Sequence, residues 1–347
     1  MESIQELLRK LCKCIVKSDD GYKINIELEK SDPEPSPDPD PKPDPEIDPN
    51  SPEAKFDPNI PLFIENAQDT PISFCMECQS ESVNNRNISY SYDNITWQPL
   101  IFTKESSSSP YLSEDIILYK KGDRAYFKGE AADGLVSGTI YPARFVNERN
   151  GIPSDCCVDV GGNITSLFYG KDDKFKTDYL DLSNITHTSS ESMIGTLFGN
   201  AGGLSTYIRI PPALPATTLC PGCYESFFYT YDGKSRLEYI PVLPAKKLET
   251  RCYYSMFYSG GSSVSTKHDK LYCYTILAED VTKGGFLNTF LYAKYFKINN
   301  PDIISRLSAA TGGGKNRLYK HGIIYCPTDP GNKLPTGWKW IKIPPLE

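Results

Sequence analysis

The residues of this chain best suited to chemistry are its cysteines, and one pair has the spacing of a zinc knuckle or a redox dithiol. Cys220 and Cys223 enclose Pro-Gly in the stretch LPATTLCPGCYESFF, residues 214–228. A structural zinc site needs four ligands, usually as two such pairs. The other Cys-x-x-Cys, Cys75 and Cys78, lies far upstream in a strand-like segment. We therefore expect free thiols rather than a metal site, and no cofactor.

Other catalytic patterns are weak. His187, His268 and His321 are scattered without ligand spacing. The stretch ATGGGKN, residues 310–316, has the glycines and lysine of a phosphate-binding loop, but Asn316 stands where Ser or Thr would bind magnesium. The sequence predicts no catalytic residues, and we expect a protein that is not an enzyme.

An internal repeat gives the cysteines another role. Residues 213–228 and 242–257 align without gaps at an offset of 29, which places Cys223 on Cys252 and Tyr224 on Tyr253. Cys220 falls on Glu249 and is not a repeat position. A period of this length is typical of a solenoid, in which each unit buries its face against its neighbours. Cys223 and Cys252 are therefore predicted core residues.

Composition and charge narrow the class of protein. The 347 residues include 23 Tyr, 15 Phe, 25 Gly and 28 Pro, which favours strands and turns, so we expect a mainly β fold. The net charge is −7, and the eight carboxylates and one lysine between residues 32 and 53 account for all of it. The rest of the chain is close to neutral, so we expect no nucleic-acid partner.

The first 30 residues are predicted to attach or oligomerise the protein. Residues 2–17 are predicted to form a helix, because their apolar residues stand at helical spacing and form one stripe, and residues 22–29 are predicted to form a strand, because they alternate as a half-buried strand does. The stripe either packs on its own chain or mediates self-association or docking. Its members are Ile4, Leu7, Leu8, Leu11 and Ile15.

Residues 31–55 carry a proline at nearly every second position. Proline prevents both helix and sheet, so this segment is predicted to be an extended polyproline II linker, stiffened by carboxylate repulsion. The alternative is a disordered acidic tail. The chain as given shows no signal-peptide pattern and no apolar run that could cross a bilayer, so we expect it to be made and released in the cytoplasm and not to insert into a membrane.

The remainder divides into two predicted domains. Residues 56–155 contain seven short strand candidates and are predicted to form a small β-sandwich, with Trp97 as a core anchor or, alternatively, an exposed ligand platform. Residues 156–347 contain the repeats and are predicted to form an irregular solenoid. Trp338 and Trp340 alternate with Lys339 and are expected to share one face of a terminal strand that caps the solenoid, with ligand stacking as the alternative.

The repeats carry more aromatic side chains than a small core can bury. Tyr224 and Tyr253 occupy repeat positions and are expected in the core. Tyr231, Tyr254 and Tyr258 lie outside the strict matches and are the predicted ligand contacts. Tyrosine combines a large stiff face with a polar tip, which suits glycan and protein surfaces alike.

The repeat pattern PxLPAxxLxxxCYxxMF resembles the BspA-like leucine-rich repeats of surface proteins from Bacteroidales. The segments ISYSYDNITWQPL, GDRAYFKGE and GNITSLFYG are similar to the β-domain that often precedes such repeats, and LPTGWKWIKI is similar to their closing segment. The resemblance covers roughly residues 60–347 and implies a BspA-like leucine-rich-repeat domain with a C-terminal cap. The chain departs from the family in lacking an export signal and in having few repeats.

The layout of attachment segment, stalk and adhesion module resembles a virion fibre or decoration protein of a crAss-like phage. We expect a virion protein that binds a capsid or other virion protein through residues 1–30 and a host-surface glycan or protein through its C-terminal module. A homo-oligomer is expected, with a trimer favoured for a fibre. The alternatives are a bacterial cell-surface adhesin and a purely structural capsid decoration protein.

Overall fold

The computed structural model of the chain is mainly β and forms two compact units, Met1–Ser51 and Pro52–Glu347. The expectation of a mainly β protein is confirmed. The structure describes residues 15–18, 21–24, 57–78, 87–104, 106–107, 109–130, 143–147, 157–176, 197–198, 205, 207–230, 236–238, 240–257, 272–283, 286, 293–308 and 318–347.

The first unit contains a hairpin of β1 (Ile15–Ser18) and β2 (Gly21–Ile24), which pair antiparallel with Ile15 opposite Ile24. The helix predicted over residues 2–17 is therefore wrong at its C-terminal end. The β-branched pair Ile15-Val16 favours a strand, and a short apolar run fits either period. Ile4, Leu7, Leu8 and Leu11 lie outside the described residues, as does the linker 31–55.

The second unit begins with two facing sheets. One has the strand order β13-β12-β3-β10-β5-β6, and the other has β11-β4-β8-β7 with β9 paired to β4. The strands are β3 (Leu62–Asn66), β4 (Ile72–Cys78), β5 (Ser89–Ser91), β6 (Gln98–Pro99), β7 (Phe102–Lys104), β8 (Tyr111–Ser113), β9 (Ile116–Leu118), β10 (Arg124–Lys128), β11 (Ala143–Asn147), β12 (Val158–Gly161) and β13 (Ile208–Ile210). Because β12 and β13 belong to the first sheet, the domain boundary predicted between residues 155 and 156 falls inside that sheet.

The motif GNITSLFYG joins β3 to β10 through buried polar side chains. The Asn163 side chain donates to the carbonyls of Phe175 (3.0 Å) and Pro58 (3.3 Å), and its oxygen accepts from the Thr165 N–H. The Ser166 hydroxyl donates to the Phe127 carbonyl at 2.7 Å and accepts from the Leu62 N–H at 3.0 Å. Satisfied buried polar groups of this kind fix one arrangement of the strands.

Gly162 begins this motif because a side chain does not fit there. Its φ is +73°, and an added Cβ would lie 2.1 Å from the Pro61 carbonyl oxygen. The close approach lets the Asn163 N–H donate to the Ile60 carbonyl at 2.8 Å. Glycine alone combines the left-handed conformation with this contact.

One hydrophobic core runs through the second unit. Phe74 from one sheet and Phe127 from the other meet with ring centroids 6.3 Å apart. From there a row of aromatic rings continues towards the C-terminus, with consecutive centroids between 5.4 and 6.3 Å apart. The row consists of Phe145, Phe198, Phe228, Phe257, Tyr274, Phe296 and Trp338.

The two repeats, 213–228 and 242–257, lie directly against each other. The N–H groups of residues 222, 224, 226 and 228 donate to the carbonyls of residues 250, 252, 254 and 256, each at 2.8 Å. The N–H groups of residues 223, 225, 227 and 229 instead donate to the carbonyls three residues back along the chain. Tyr224 and Tyr253 stack with centroids 6.0 Å apart, and Cys223 and Cys252 are fully buried, as the sequence alignment predicts.

The unit ends in a four-stranded parallel sheet. Its strands are β14 (Tyr272–Ile276), β15 (Ala293–Ile298), β16 (Leu318–Cys326) and β17 (Lys339–Lys342), in that order. Trp338 packs on Phe296, and the Trp340 indole N–H donates to the Cys326 carbonyl at 3.1 Å. Both tryptophans thus contact the core beside the last strand.

Candidate binding surface

The outer face of the six-stranded sheet carries partly exposed charged and aromatic side chains along β10. Along β10, Ala125 and Phe127 point into the core, whereas Arg124, Tyr126 and Lys128 alternate with them and remain partly exposed. This is the period of two that places successive side chains on opposite faces of a strand. The three outward residues line two pockets, one towards each end of β10.

The larger pocket, here the tyrosine pocket, has a volume of about 550 Å³. Its rim is formed by Tyr119, which is 67% exposed, Tyr92, which is 47% exposed, and Ile117, which is 38% exposed. Large apolar side chains left exposed around a concavity mark a site of interaction. The remaining lining residues are Asp115, Leu118, Gly122, Asp123, Arg124 and Tyr126.

The shape of the tyrosine pocket is fixed by its polar groups. The Asp123 carboxylate accepts the N–H groups of Tyr119 (3.0 Å) and Lys120 (3.1 Å), which holds the turn between β9 and β10. The Arg124 guanidinium contacts Glu65 at 2.7 Å and lies 4.4 Å from the centroid of Phe63. Partial burial raises the pKa of the Tyr92 phenol above its ordinary value.

The smaller pocket, here the tryptophan pocket, has a volume of about 330 Å³ and is lined by Asn87, Ser89, Trp97, Lys128, Gly129, Glu130 and Gly170. Trp97 is half-buried and lies at the surface, so its predicted role as a core anchor is wrong. The Lys128 ammonium lies 4.5 Å from the Trp97 ring centroid and also pairs with Asp173. Hydrogen bonds from Lys128 and Lys176 lower the pKa of Asp173 and keep it charged.

A tight turn presents Trp97. The Asp93 carboxylate accepts the N–H groups of Ile95 (2.8 Å) and Thr96 (2.7 Å) and the Ser91 hydroxyl (2.8 Å). The first two of these bonds are the main reason why the pKa of Asp93 lies below its ordinary value. The stretch YDNITW is thus a structural turn that leads from β5 to the tryptophan pocket.

The chain has no match among known families, curated proteins or solved structures. The two pockets therefore have to be interpreted from their own chemistry. Tyr92, Tyr119 and Tyr126 were not among the predicted contacts, although they stand in strand-like segments where alternation is visible. What the alternation does not reveal is which of the two faces stays open to solvent.

The predicted contacts in the repeats are only partly described. Tyr254 is half-buried, and the Arg251 guanidinium covers one face of its ring at 4.6 Å from the centroid. Arg251 in turn pairs with Glu225, which is almost fully buried. Tyr231 and Tyr258 lie outside the described residues. The one described member of the predicted set therefore offers less free ring surface than the tyrosines beside β10.

The cysteines of the repeats lie in the core. Cys220, Cys223 and Cys252 are at most 2% exposed. Burial raises the pKa of Cys252 to about 12 and raises that of Cys223 as well, so both remain thiols at neutral pH. A thiol is a poor nucleophile and a poor metal ligand compared with a thiolate.

Two further kinds of feature, metal-binding side-chain groups and membrane-spanning helices, concern the described part of the chain. It contains no group of three or more His, Cys, Asp and Glu side chains that could hold a metal ion, and no helix that is long and apolar enough to cross a bilayer. Cys78 and His321 lie in strands whose side chains are not described at these positions. His187, His268, Cys156 and the glycine-rich stretch 310–316 lie outside the described residues.

Proposed function

We propose that this chain is a non-enzymatic adhesion protein that binds a glycan or protein on a host-cell surface. The observation that carries the proposal is the tyrosine pocket, where Tyr92 and Tyr119 expose large aromatic faces around a concave site with fixed polar groups. Aromatic side chains that stay exposed cost solubility and are typical of binding surfaces.

The proposed fold is a β-sandwich followed by an irregular leucine-rich-repeat solenoid of the BspA-like type. The two facing sheets with Phe74 and Phe127 between them support the sandwich. The bonds from repeat to repeat and the parallel order of β14 to β17 support the solenoid. Such a scaffold holds a binding surface rigidly, and the exposed side chains determine what that surface binds.

The proposed location is a phage virion, as a head fibre or decoration protein that is attached through residues 1–30 to a capsid or other virion protein. Support comes from the sequence: the acidic, proline-rich residues 31–55 suit a spacer that projects a binding module. Several copies on one particle, as a trimer or another homo-oligomer, would raise avidity for a weak ligand. A bacterial cell-surface adhesin is the alternative, and a purely structural decoration protein is the third candidate.

A cell-binding assay tests the adhesion function. The full chain carrying a fluorescent label is mixed with a panel of Bacteroidales strains, and bound label is measured by flow cytometry. We expect binding to at least one strain and a loss of most of the signal in the double variant Tyr92→Ala, Tyr119→Ala. The matched control is Ile101→Ala, which removes a side chain that is 56% exposed but lies outside the pocket.

The outcomes separate the candidates. Binding that the control retains and the double variant loses supports adhesion through the tyrosine pocket. Equal binding by the natural chain, the double variant and the control would mean that the adhesive surface lies elsewhere on the chain. Absence of binding to every strain would favour the decoration protein. Thermal unfolding of each variant shows that the loss reflects the surface and not the fold.

A further inference from the structure

We propose that the tyrosine pocket and the tryptophan pocket are two subsites of one elongated site for a linear, uncharged oligosaccharide. This inference rests on the proposed adhesion function and names its ligand. It differs from a single-sugar site because it requires that one ligand chain occupy both pockets at once.

The first argument is the shared strand. Arg124 and Tyr126 line the tyrosine pocket and Lys128 lines the tryptophan pocket, and all three project from the same face of β10. At ~3.4 Å per residue the outer two lie ~14 Å apart, which is longer than a single sugar ring. On the neighbouring strand β5, Ser89 pairs with Lys128 and places a small hydroxyl side chain in the lining of the tryptophan pocket, whereas Ser91, opposite Tyr126, is buried.

The second argument is the placement of aromatic rings. Tyr92 and Tyr119 form the rim at one end, and Trp97 lines the pocket at the other. A pyranose ring has an apolar face of C–H groups that packs on an aromatic ring, while its hydroxyls bind polar groups around the edge. Aromatic residues at both ends of a strand therefore suit a chain of sugars better than one compact ligand.

The third argument is the balance of charge. The pockets contain three carboxylates, from Asp115, Asp123 and Glu130, and two cations, Arg124 and Lys128. Each cation already has an acidic partner: Glu65 pairs with Arg124, and Asp173 with Lys128. This leaves no excess of positive charge for an anionic ligand. The carboxylates offer acceptors to sugar hydroxyls, and the Asn87 amide, which donates one N–H to Glu130 at 2.8 Å, has a second N–H and an acceptor oxygen.

The experiment is isothermal titration calorimetry of the full chain with four series of linear oligosaccharides, each from disaccharide to hexasaccharide. The series are β-1,4-glucose, α-1,4-glucose, β-1,3-glucose and β-1,4-N-acetylglucosamine. We expect one series to bind, with Kd falling about tenfold or more from disaccharide to hexasaccharide as the second pocket fills. Tyr119→Ala and Trp97→Ala should each weaken hexasaccharide binding about tenfold.

Variants at the two pockets make the test specific. Trp97→Phe keeps an aromatic face and should retain most of the affinity that Trp97→Ala loses, which separates stacking from misfolding. Ile101→Ala should leave every Kd unchanged. A disaccharide should be sensitive to substitution in one pocket, and the hexasaccharide to substitution in both.

Two results would overturn the inference. One is an affinity that does not change with chain length, or a hexasaccharide Kd that Trp97→Ala leaves unaltered, since both mean a single subsite. The other is the absence of binding to all four series by a protein that still adheres to cells through Tyr92 and Tyr119. In that case the adhesion function stands and the ligand is a protein or another surface polymer. If the full chain without substitutions bound neither the saccharides nor the cells, both proposals would be overturned together.

Discussion

Alkaline pH should destabilise this protein through a thiol in its core. Cys252 is fully buried in the second repeat, and burial raises its pKa from the ordinary 9.0 to about 12. The folded protein therefore keeps a proton that the unfolded chain releases, and the free energy of unfolding falls as the pH rises from 9.0 towards 12. Below pH 9.0 both states are protonated and the effect is absent.

The size of the effect follows from the shift. Each unit of pH above 9.0 lowers the free energy of unfolding by about 1.4 kcal/mol, so about 2 kcal/mol of stability is lost by about pH 10.5. The variant Cys252→Ala loses about 1–2 kcal/mol at neutral pH because it leaves a small cavity. At about pH 10.5 the variant no longer carries the titrating thiol, so its deficit relative to the natural chain should shrink to near zero or change sign.

The assay is urea unfolding followed by circular dichroism, with a reductant present, at about pH 7.5 and about pH 10.5. The control is Met256→Ala, which creates a cavity at a fully buried position of the same repeat but removes no titrating group. Its deficit should be equal at the two pH values. A deficit of Cys252→Ala that is likewise independent of pH would refute the assignment of alkaline sensitivity to this thiol.

Four further outcomes are expected. Arg209→Met removes the bidentate partner of the buried Asp159 (2.6 and 3.0 Å) and should lower the free energy of unfolding in urea by about 2–4 kcal/mol. Adding Asp159→Asn should recover much of that loss. If the effects of the two substitutions simply added, the two side chains would not be coupled. Asn163→Ala breaks the side-chain bonds to the carbonyls of Pro58 and Phe175 and to the Thr165 N–H, and should lower stability by about 2–3 kcal/mol. An unchanged Tm would contradict the structural role of these bonds. Tyr224→Phe should be neutral or stabilise by about 1 kcal/mol, since the buried hydroxyl has no hydrogen-bond partner among the described residues; a marked loss of stability would reveal one. Light scattering should give an oligomer for the full chain and a monomer for a chain that starts at Phe56. If both proteins were monomers, the proposed self-association through the N-terminal segment would be refuted.

Much of the β-structure could be predicted from local patterns. Each of the seven strand candidates between residues 56 and 155 contains an observed strand, because alternation and turn residues are local signals. The burial of Cys223 and Cys252 could be predicted because equivalent positions of stacked repeats face the same core. The short strand β8 (Tyr111–Ser113) was not predicted, because it directly follows the serine run 106–109 and Pro110, which are typical of a loop.

The binding surface could not be predicted for a different reason. Whether Tyr92 and Tyr119 stay exposed depends on which sheet face the rest of the chain covers, and that follows from long-range pairing. Trp97 is sequence-adjacent to strand residues and is a natural choice for a core. Its contact with Lys128 forms because β5 pairs with β10, which brings segments about 30 residues apart into register. Ile15 is a further case in which pairing decides the structure. Its place in an apolar stripe at helical spacing favours a helix, but its pairing with Ile24 makes it part of a strand.

The alternation of hydrogen bonds in the first repeat constrains how the chain can change in evolution. Every second N–H between residues 222 and 228 points to the next repeat, and those between them point back into their own turn. A single inserted or deleted residue would exchange the two sets and leave both without partners, so this stretch should keep a constant length. Between repeats the spacing is free to vary: Leu214 and Leu243 lie 29 positions apart, while Leu243 pairs with Ile276, 33 positions further on. Lineages of this protein should therefore diverge in length at the segments that connect the repeats and keep the repeats themselves at constant length.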